Sequence, residues 1–567
     1  MTPQVAEACG MIKNRTMQYP PVTDSETRPI RRGFVQVDGR HVHYRVCGSG
    51  PAVVMLHDSP RSSLLHARSL QRFGDEFTVY ALDTPGYGHS DPLPATPRPE
   101  IEDFADALAG ALRALGLDGA TIYAFHTSSK IAVACAVRHP QLIGHLLLDG
   151  ISIPAQPSPD EFIERYMSPF VPDTSGAYIA AQWTKIRDLH RYFPWFDIRP
   201  AARMPTDEPS PEALHEYAVD LFSAGPNYAM AYSAAMRYAA RPAVAALSTP
   251  TTVIARADDV LFGFLDAVEQ ILPPCGAVRR LPADDAAWQA AVREAFGHSK
   301  ATARVTAAMS ATSGAGLTRR YQWLETGSLM VREGMVREGG EGRALVMLHS
   351  PPGSSADLAA LAATRLGTNR VWAPDLPGCG LSDPLPTDAD GETWVAHLLA
   401  GIDAAGLGEF DIHAVGLASP LALQLARRAG ARVGLLTLDG GLILDAARRA
   451  EHAERHAPPL LPDRDGTQLW RLFHRLRDEA LQWPWFDGSR GARRGGERLN
   501  AESLYRRFVA ALTQLPHYGD AGRVALQCDP APLLAVLPQP IEFIDTAGDP
   551  FYAEVAAARS LRRSASS

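Results

Sequence analysis

The sequence predicts a duplicated α/β protein. It reads as two tandem domains, each a mostly parallel, doubly wound sheet carrying a helical insert, with the second copy shortened at its C-terminal end. The first observation behind this is a repeat. Val54-Met55-Leu56-His57-Asp58-Ser59-Pro60 returns as Val346-Met347-Leu348-His349-Ser350-Pro351-Pro352. Asp83-Thr84-Pro85-Gly86-Tyr87-Gly88 returns as Asp375-Leu376-Pro377-Gly378-Cys379-Gly380 at the same separation of 292 residues. The second observation is that short apolar runs alternate with helical stretches in both copies, the pattern of a parallel sheet with crossover helices. The third is a long aromatic-rich insert after an Asp-Gly pair, with Pro194-Trp195-Phe196-Asp197 matched by Pro484-Trp485-Phe486-Asp487.

The elements follow in order. Residues 1–30 are a tail with weak periodicity. Phe34 to Tyr44 alternates on either side of Asp38-Gly39, the strongest short hairpin signal. Ala52–His57, Phe77–Asp83, Ala120–Phe125 and Ile143–Asp149 read as buried strands. In the second copy Ala344–His349, Val371–Asp375, Phe410–Val415 and Val433–Asp439 repeat the order. The inserts, about 155–245 and 445–535, are expected to cap the carboxyl ends of the strands, where open α/β sheets bind their ligands. The domains are therefore 31–300 and 319–567, joined by an Ala/Ser/Thr/Gly-rich linker at 301–318.

At 567 residues the chain is too long for one core. Apolar content of 46% and charged content of 21% are those of ordinary globular protein. A net charge of -8 argues against nucleic acid or an anionic membrane as partner. Six scattered cysteines without a C-x-x-C suit a reducing compartment, so a cytoplasmic location is expected. No secretory signal is read at the N-terminus, and no apolar run approaches the roughly 18 residues needed to span a bilayer. The absence of a G-x-G-x-x-G or P-loop and of metal-ligand spacing leaves no cofactor and no metal expected.

These residues resemble the α/β-hydrolase superfamily in each half separately. His57 and His349 close the strand that in this superfamily precedes an oxyanion loop, usually His-Gly. The Asp-x-Pro-Gly-x-Gly-x-Ser-Asp segment resembles the loop after its fourth strand. The superfamily's nucleophile elbow reads G-x-S-x-G, a strained turn that exposes the serine. Here the corresponding residues are Ala124-Phe125-His126-Thr127-Ser128, which places His126 at the tip; a one-residue shift would place Thr127 there, beside a bulky Phe125. The first copy is similar to a subset with a G-x-H-T-G elbow, departing from it at Ala124 and Ser128. In the second copy the tip is Gly416, and a helix would turn Ser419 away from it.

The resemblance further implies an acid after the seventh strand, Asp259 in the first copy and Asp549 in the second. The triad histidine that should follow the eighth strand is missing. His298 comes too late and reads as surface, and the second copy stops before any eighth strand. An ordinary Ser-His-Asp mechanism is thereby excluded. What remains is His126 with Asp259 as its orienting partner, Asp149 as a nearby alternative, and backbone N–H groups of Asp58 and Thr127 as an oxyanion hole. His57 and Trp195 are possible pocket residues, although both suit a packing role equally well.

Three functions are therefore expected to compete. One is a hydrolase active in the N-terminal half on a small apolar ester, lactone or related carbonyl compound, with the C-terminal half a non-catalytic partner packed like a second subunit. Another is a pseudoenzyme with a capped ligand-binding or scaffold role. The last is a non-hydrolytic lyase or oxygenase-type reaction on the same fold. The expected partner is a small molecule; homo-oligomerisation is left open.

Overall fold

Asp38 and Gly39 both take positive φ, 50° and 75°, which suits a two-residue hairpin turn. They join β1 (Arg31–Val37) to β2 (Arg40–Cys47), paired antiparallel with Val37 opposite Arg40. In this computed structural model, residues 28–204, 207–302, 316–334, 342–440, 444–494, 499–544 and 552–566 are described. Most of the expected tail, most of the linker, and Asp549 lie outside them.

The first sheet continues with β3 (Ala52–Leu56), β4 (Thr78–Leu82), β5 (Ala120–Phe125), β6 (Ile143–Asp149), β7 (Thr251–Arg256) and β8 (Gly276–Leu281). Its strand order is β1-β2-β4-β3-β5-β6-β7-β8. From β4 to β8 every pairing is parallel, so each link needs a crossover, mostly supplied by a helix. Every residue of β3, β4 and β5 is buried, as expected of a sheet covered on both faces. One face packs Val53, Met55, Val79 and Leu147 against Phe73, Trp288 and Phe296 from flanking helices.

The second sheet comprises β9 (Thr318–Leu324), β10 (Gly327–Gly334), β11 (Ala344–Leu348), β12 (Val371–Pro374), β13 (Phe410–Val415), β14 (Val433–Asp439) and β15 (Ile541–Ile544). Its order, β9-β10-β12-β11-β13-β14-β15, repeats the first seven strands of the other sheet. The fold is thus two tandem mixed sheets flanked by helices. The β9–β10 hairpin has no Asp-Gly to announce it in the sequence; Tyr321 and Trp323 alternate within it instead.

The chain divides into two compact units, Met1–Val171 with Ala181–Met309, and Pro172–Ala180 with Ser310–Ser567. Both inserts are helical, the first including Asp160–Tyr166, Pro211–Ala224 and Ala229–Arg237, the second Ala446–Arg455, Thr467–Leu481 and Ala501–Thr513. In the first unit the insert is tied to the strand ends by buried polar contacts. Arg61, after β3, donates through Nε to Asp220 on the Pro211–Ala224 helix at 2.6 Å, and Ser62 Oγ donates to the other carboxylate oxygen at 2.6 Å. A buried pair of this kind offsets its own desolvation only when its remaining hydrogen bonds are met, as Ser62 does here. Tyr87 Oη adds a bond to the Tyr228 carbonyl at 2.7 Å.

Candidate functional site

The chain leaves β5 at Phe125 and enters the helix Thr127–Arg138 with one residue between them, His126. That residue adopts φ 49° and ψ -106°. Positive φ in a bulky residue is unfavourable and persists only where surroundings impose it. The surroundings do so from three sides. His126 N–H donates to the Asp149 carbonyl at the end of β6 at 3.1 Å, and its own carbonyl accepts from Ser129 N–H at 3.0 Å. Ser128 Oγ accepts from Phe125 N–H and reaches the Leu56 carbonyl at 3.1 Å, locking the end of β5 to that of β3. Ser129 Oγ binds the Ala124 and Gly150 carbonyls.

The imidazole of His126 is buried and donates through Nε2 to Asp259 Oδ2 at 2.9 Å. Asp259 is held in turn: its Oδ1 accepts from Leu261 N–H at 2.7 Å in the loop after β7. Burial alone would lower the pKa of His126, but the Asp259 carboxylate outweighs it and the net shift is upward. Asp259 is shifted downward by the same pairing, against its own burial. With Nε2 committed to Asp259, Nδ1 is buried without a hydrogen-bond partner.

Phe125 stacks on the imidazole with centroids 3.9 Å apart. Gly150 backs the ring from the other strand. A Cβ there would lie 2.8 Å from His126 Cδ2, and the residue already has φ +71°, so the position accepts glycine alone without strain. In the sequence the Asp-Gly pair marks the repeat; its contact with the histidine is visible only in the fold.

The other sequence-predicted residues separate. Asp149 closes β6 and is buried, its Oδ2 accepting from Tyr123 Oη at 2.7 Å and Trp288 Nε1 at 2.6 Å. Burial, then the Asp259 charge, pushes it up to about 6. His57 accepts from Thr84 N–H at Nε2 and donates through Nδ1 to the Asp58 carbonyl, tying β3 to the loop after β4. Trp195 donates to the Tyr166 carbonyl at 3.0 Å, with the Lys185 ammonium 5.2 Å from its ring. Burial lowers Lys185 to about 7. His298 is exposed. Asp58 and Thr127 are both buried, each just beyond the ends of the neighbouring strands β3 and β5.

The second unit repeats the frame with different contents. Gly416 stands where His126 does, at φ 54°. Ser350, the counterpart of Asp58, accepts at Oγ from Leu417 N–H at 3.2 Å, the N–H that follows the tip. Ser419 Oγ is tied to the Gly440 carbonyl at 2.8 Å, the same bond Ser129 makes to Gly150. Arg475 and Arg507 both donate to Glu479 Oε2, at 3.0 and 2.5 Å. Against burial, the two guanidiniums lower Glu479 to about 2. Among the described residues no group of three His, Cys, Asp or Glu is placed to hold a metal.

Residues 51–271 match the model of the alpha/beta hydrolase fold family. The 2-(acetamidomethylene)succinate hydrolase of Mesorhizobium japonicum is 31% identical over 102 residues, 18% of this chain and 36% of that protein. A proline iminopeptidase of Xylella fastidiosa is 28% identical over 165 residues, 29% of this chain and 51% of that protein. The chain thus spans between about a third and a half of the length of these curated relatives. A solved esterase from Thermogutta terrifontis aligns with a TM-score of 0.36 at 20% identity, over 47% of this chain and 97% of that one. The family match thus falls on the first sheet and the insert after it, and the second sheet repeats the strand order of the first seven strands of that region.

Proposed function

We propose that the first half is a hydrolase for a small, mainly apolar ester, lactone or related carbonyl compound, and that the second half is non-catalytic. The observation that carries this is the His126–Asp259 pair at 2.9 Å, set on a strained turn with Nδ1 unpartnered. An oriented imidazole next to a carboxylate is a general base with a fixed tautomer. Nδ1 takes a proton from water as the water oxygen bonds the carbonyl carbon. The displaced electron pair settles on the carbonyl oxygen, near the N–H groups of Asp58 and Thr127. On collapse the carbon–oxygen bond to the leaving group breaks, and the leaving oxygen takes the proton back from Nδ1. Direct attack by Nδ1 would instead form a carbon–nitrogen bond as the bond to the leaving oxygen breaks, the leaving group departing as its anion or taking a proton from water, and water then cleaves the acyl-imidazole. The matched relatives named above include a hydrolase and a peptidase, which supports the reaction class and leaves the substrate open.

A pseudoenzyme is the second reading, favoured by the Phe125 ring stacked on His126. Pre-steady-state turnover of p-nitrophenyl butyrate by the wild type and by His126→Ala separates the two. The hydrolase reading expects turnover that His126→Ala abolishes, with a burst if Nδ1 is the nucleophile. Absence of turnover in the wild type, or equal turnover in both proteins, sinks it.

A further inference from the structure

Asp58 stands where the superfamily resemblance leads one to expect glycine, and its side chain has so far been given no task. It is 1% exposed, and neither carboxyl oxygen has a hydrogen-bond partner. Leaving a buried ionised carboxylate without a hydrogen bond is among the costliest arrangements a protein can hold. Arg61, whose charge faces it, donates through Nε to Asp220 and makes no hydrogen bond to Asp58. The second unit shows where a side chain at this position reaches: Ser350 accepts from Leu417 N–H, the first N–H past the tip. By the same frame the Asp58 carboxyl belongs beside Thr127 N–H and the free Nδ1 of His126, where the carbonyl oxygen of a substrate would come to rest.

A carboxylate there would repel the developing oxyanion; a carboxylic acid would stabilise it. We propose that Asp58 is a catalytic residue that works as a neutral acid, its O–H donating to the substrate's carbonyl oxygen while His126 Nδ1 acts on the opposite side of the carbonyl carbon. This deepens the hydrolytic reading of the same site and rests on it. The proton stays on Asp58 through attack and collapse, so the step adds no co-reactant: the O–H shortens its bond to the oxyanion and relaxes when the carbonyl re-forms. The groups that face Asp58 are Arg61, His126, His57 and Asp220, with Tyr87 and Tyr217 from the adjoining loop and insert. Burial, the largest influence, raises the Asp58 pKa against the pull of Arg61 and the two histidines.

The test pairs Asp58→Asn, which keeps a donor and cannot ionise, with Asp58→Ala, which has none. With p-nitrophenyl butyrate, Asp58→Asn should stay within about tenfold of wild type, while Asp58→Ala loses about 10²–10³-fold in kcat, the usual cost of one oxyanion donor. Equal loss in both variants overturns the proposal. The second readout is the infrared difference spectrum of wild type minus Asp58→Asn at pH 7. The carbonyl stretch of a protonated carboxyl is expected, and a carboxylate band in its place overturns the proposal. The infrared arm needs no turnover. An inactive wild type would therefore sink the ester reading, while the band alone would still show whether Asp58 is neutral.

Discussion

His126 and Gly416 occupy one position in two copies of the same turn, and the difference between their surroundings is instructive. In the first unit the polar groups around the turn are left with unspent bonding capacity: Nδ1 of His126 and both oxygens of Asp58 are buried and unpartnered. In the second unit the tip is a glycine, the counterpart of Asp58 is partnered, and the charged groups of the insert pair with one another. Ser350 closes on Leu417 N–H, and Arg475, Glu479 and Arg507 form a buried cluster. Native proteins rarely leave buried polar atoms unsatisfied, and those that persist ask for an explanation such as a ligand or a reaction.

The sharpest way to break this comparison is at Glu479. Glu479→Gln leaves the buried Arg475 guanidinium and the part-buried Arg507 guanidinium without their shared carboxylate, and removing one partner of a buried pair costs about 3–5 kcal/mol. Denaturant unfolding should show that loss, with ester turnover by the first half retained. A loss of turnover as large as that of His126→Ala would overturn the division of labour. Next is Gly150→Ala. Its Cβ would meet His126 Cδ2 at 2.8 Å, and a displaced catalytic group of this kind costs on the order of 10²-fold in kcat/KM. Gly39→Ala is the control: it has positive φ too, but nothing within 4 Å of the added atom, so it should affect stability alone.

The pH profile sharpens the same contrast. A general base must be neutral, and the pKa of His126 is raised by Asp259. Turnover should therefore rise with pH through a midpoint above the ordinary histidine value of about 6.5. Asp259→Asn removes the carboxylate, so the midpoint should fall. A midpoint unmoved in the variant would show that another group titrates. The pair has a matching signature in stability. His126 contributes below its unfolded pKa, and that contribution is lost as pH rises through its raised folded value. Asp259 contributes above its unfolded pKa and loses that contribution as pH falls through its lowered one. Both contributions are therefore complete together between about pH 4 and 6.5.

Much of this was legible in the sequence because it is periodic or repeated. The duplication and the alternation of strands with helices follow from spacing, while the tip at His126 was implied by the resemblance. The resemblance also implied Asp259 after the seventh strand, and the structure sets it 2.9 Å from His126. What was not legible depends on side chains meeting across long separations. Arg61 finds Asp220, Trp288 finds Asp149, and Gly150 clears space for an imidazole. No local pattern encodes such pairs. Asp58 does leave a signal, an acid where the resemblance leads to glycine. The sequence nevertheless gives a role to its backbone alone, because nothing linear shows that a carboxyl is buried without a partner.

The smallest effect tests the residue that looks most like a surviving nucleophile. Ser419 is the serine nearest the second tip, but its Oγ donates to the Gly440 carbonyl at 2.8 Å, as Ser129 Oγ does to Gly150 at 3.0 Å. Two serines making one bond in both copies, one beside a histidine and one beside a glycine, are fastening the helix to the end of the neighbouring strand. Ser419→Ala should then cost about 1 kcal/mol, the net worth of a buried hydrogen bond, and leave ester turnover unchanged. Ser129→Ala should cost at least as much in stability, since its hydroxyl also meets the Ala124 carbonyl. It should reduce turnover only as far as it loosens His126. If Ser419→Ala removed turnover and Ser129→Ala did not, the chemistry would belong to the second half, and the contrast between the two copies would have to be read the other way round.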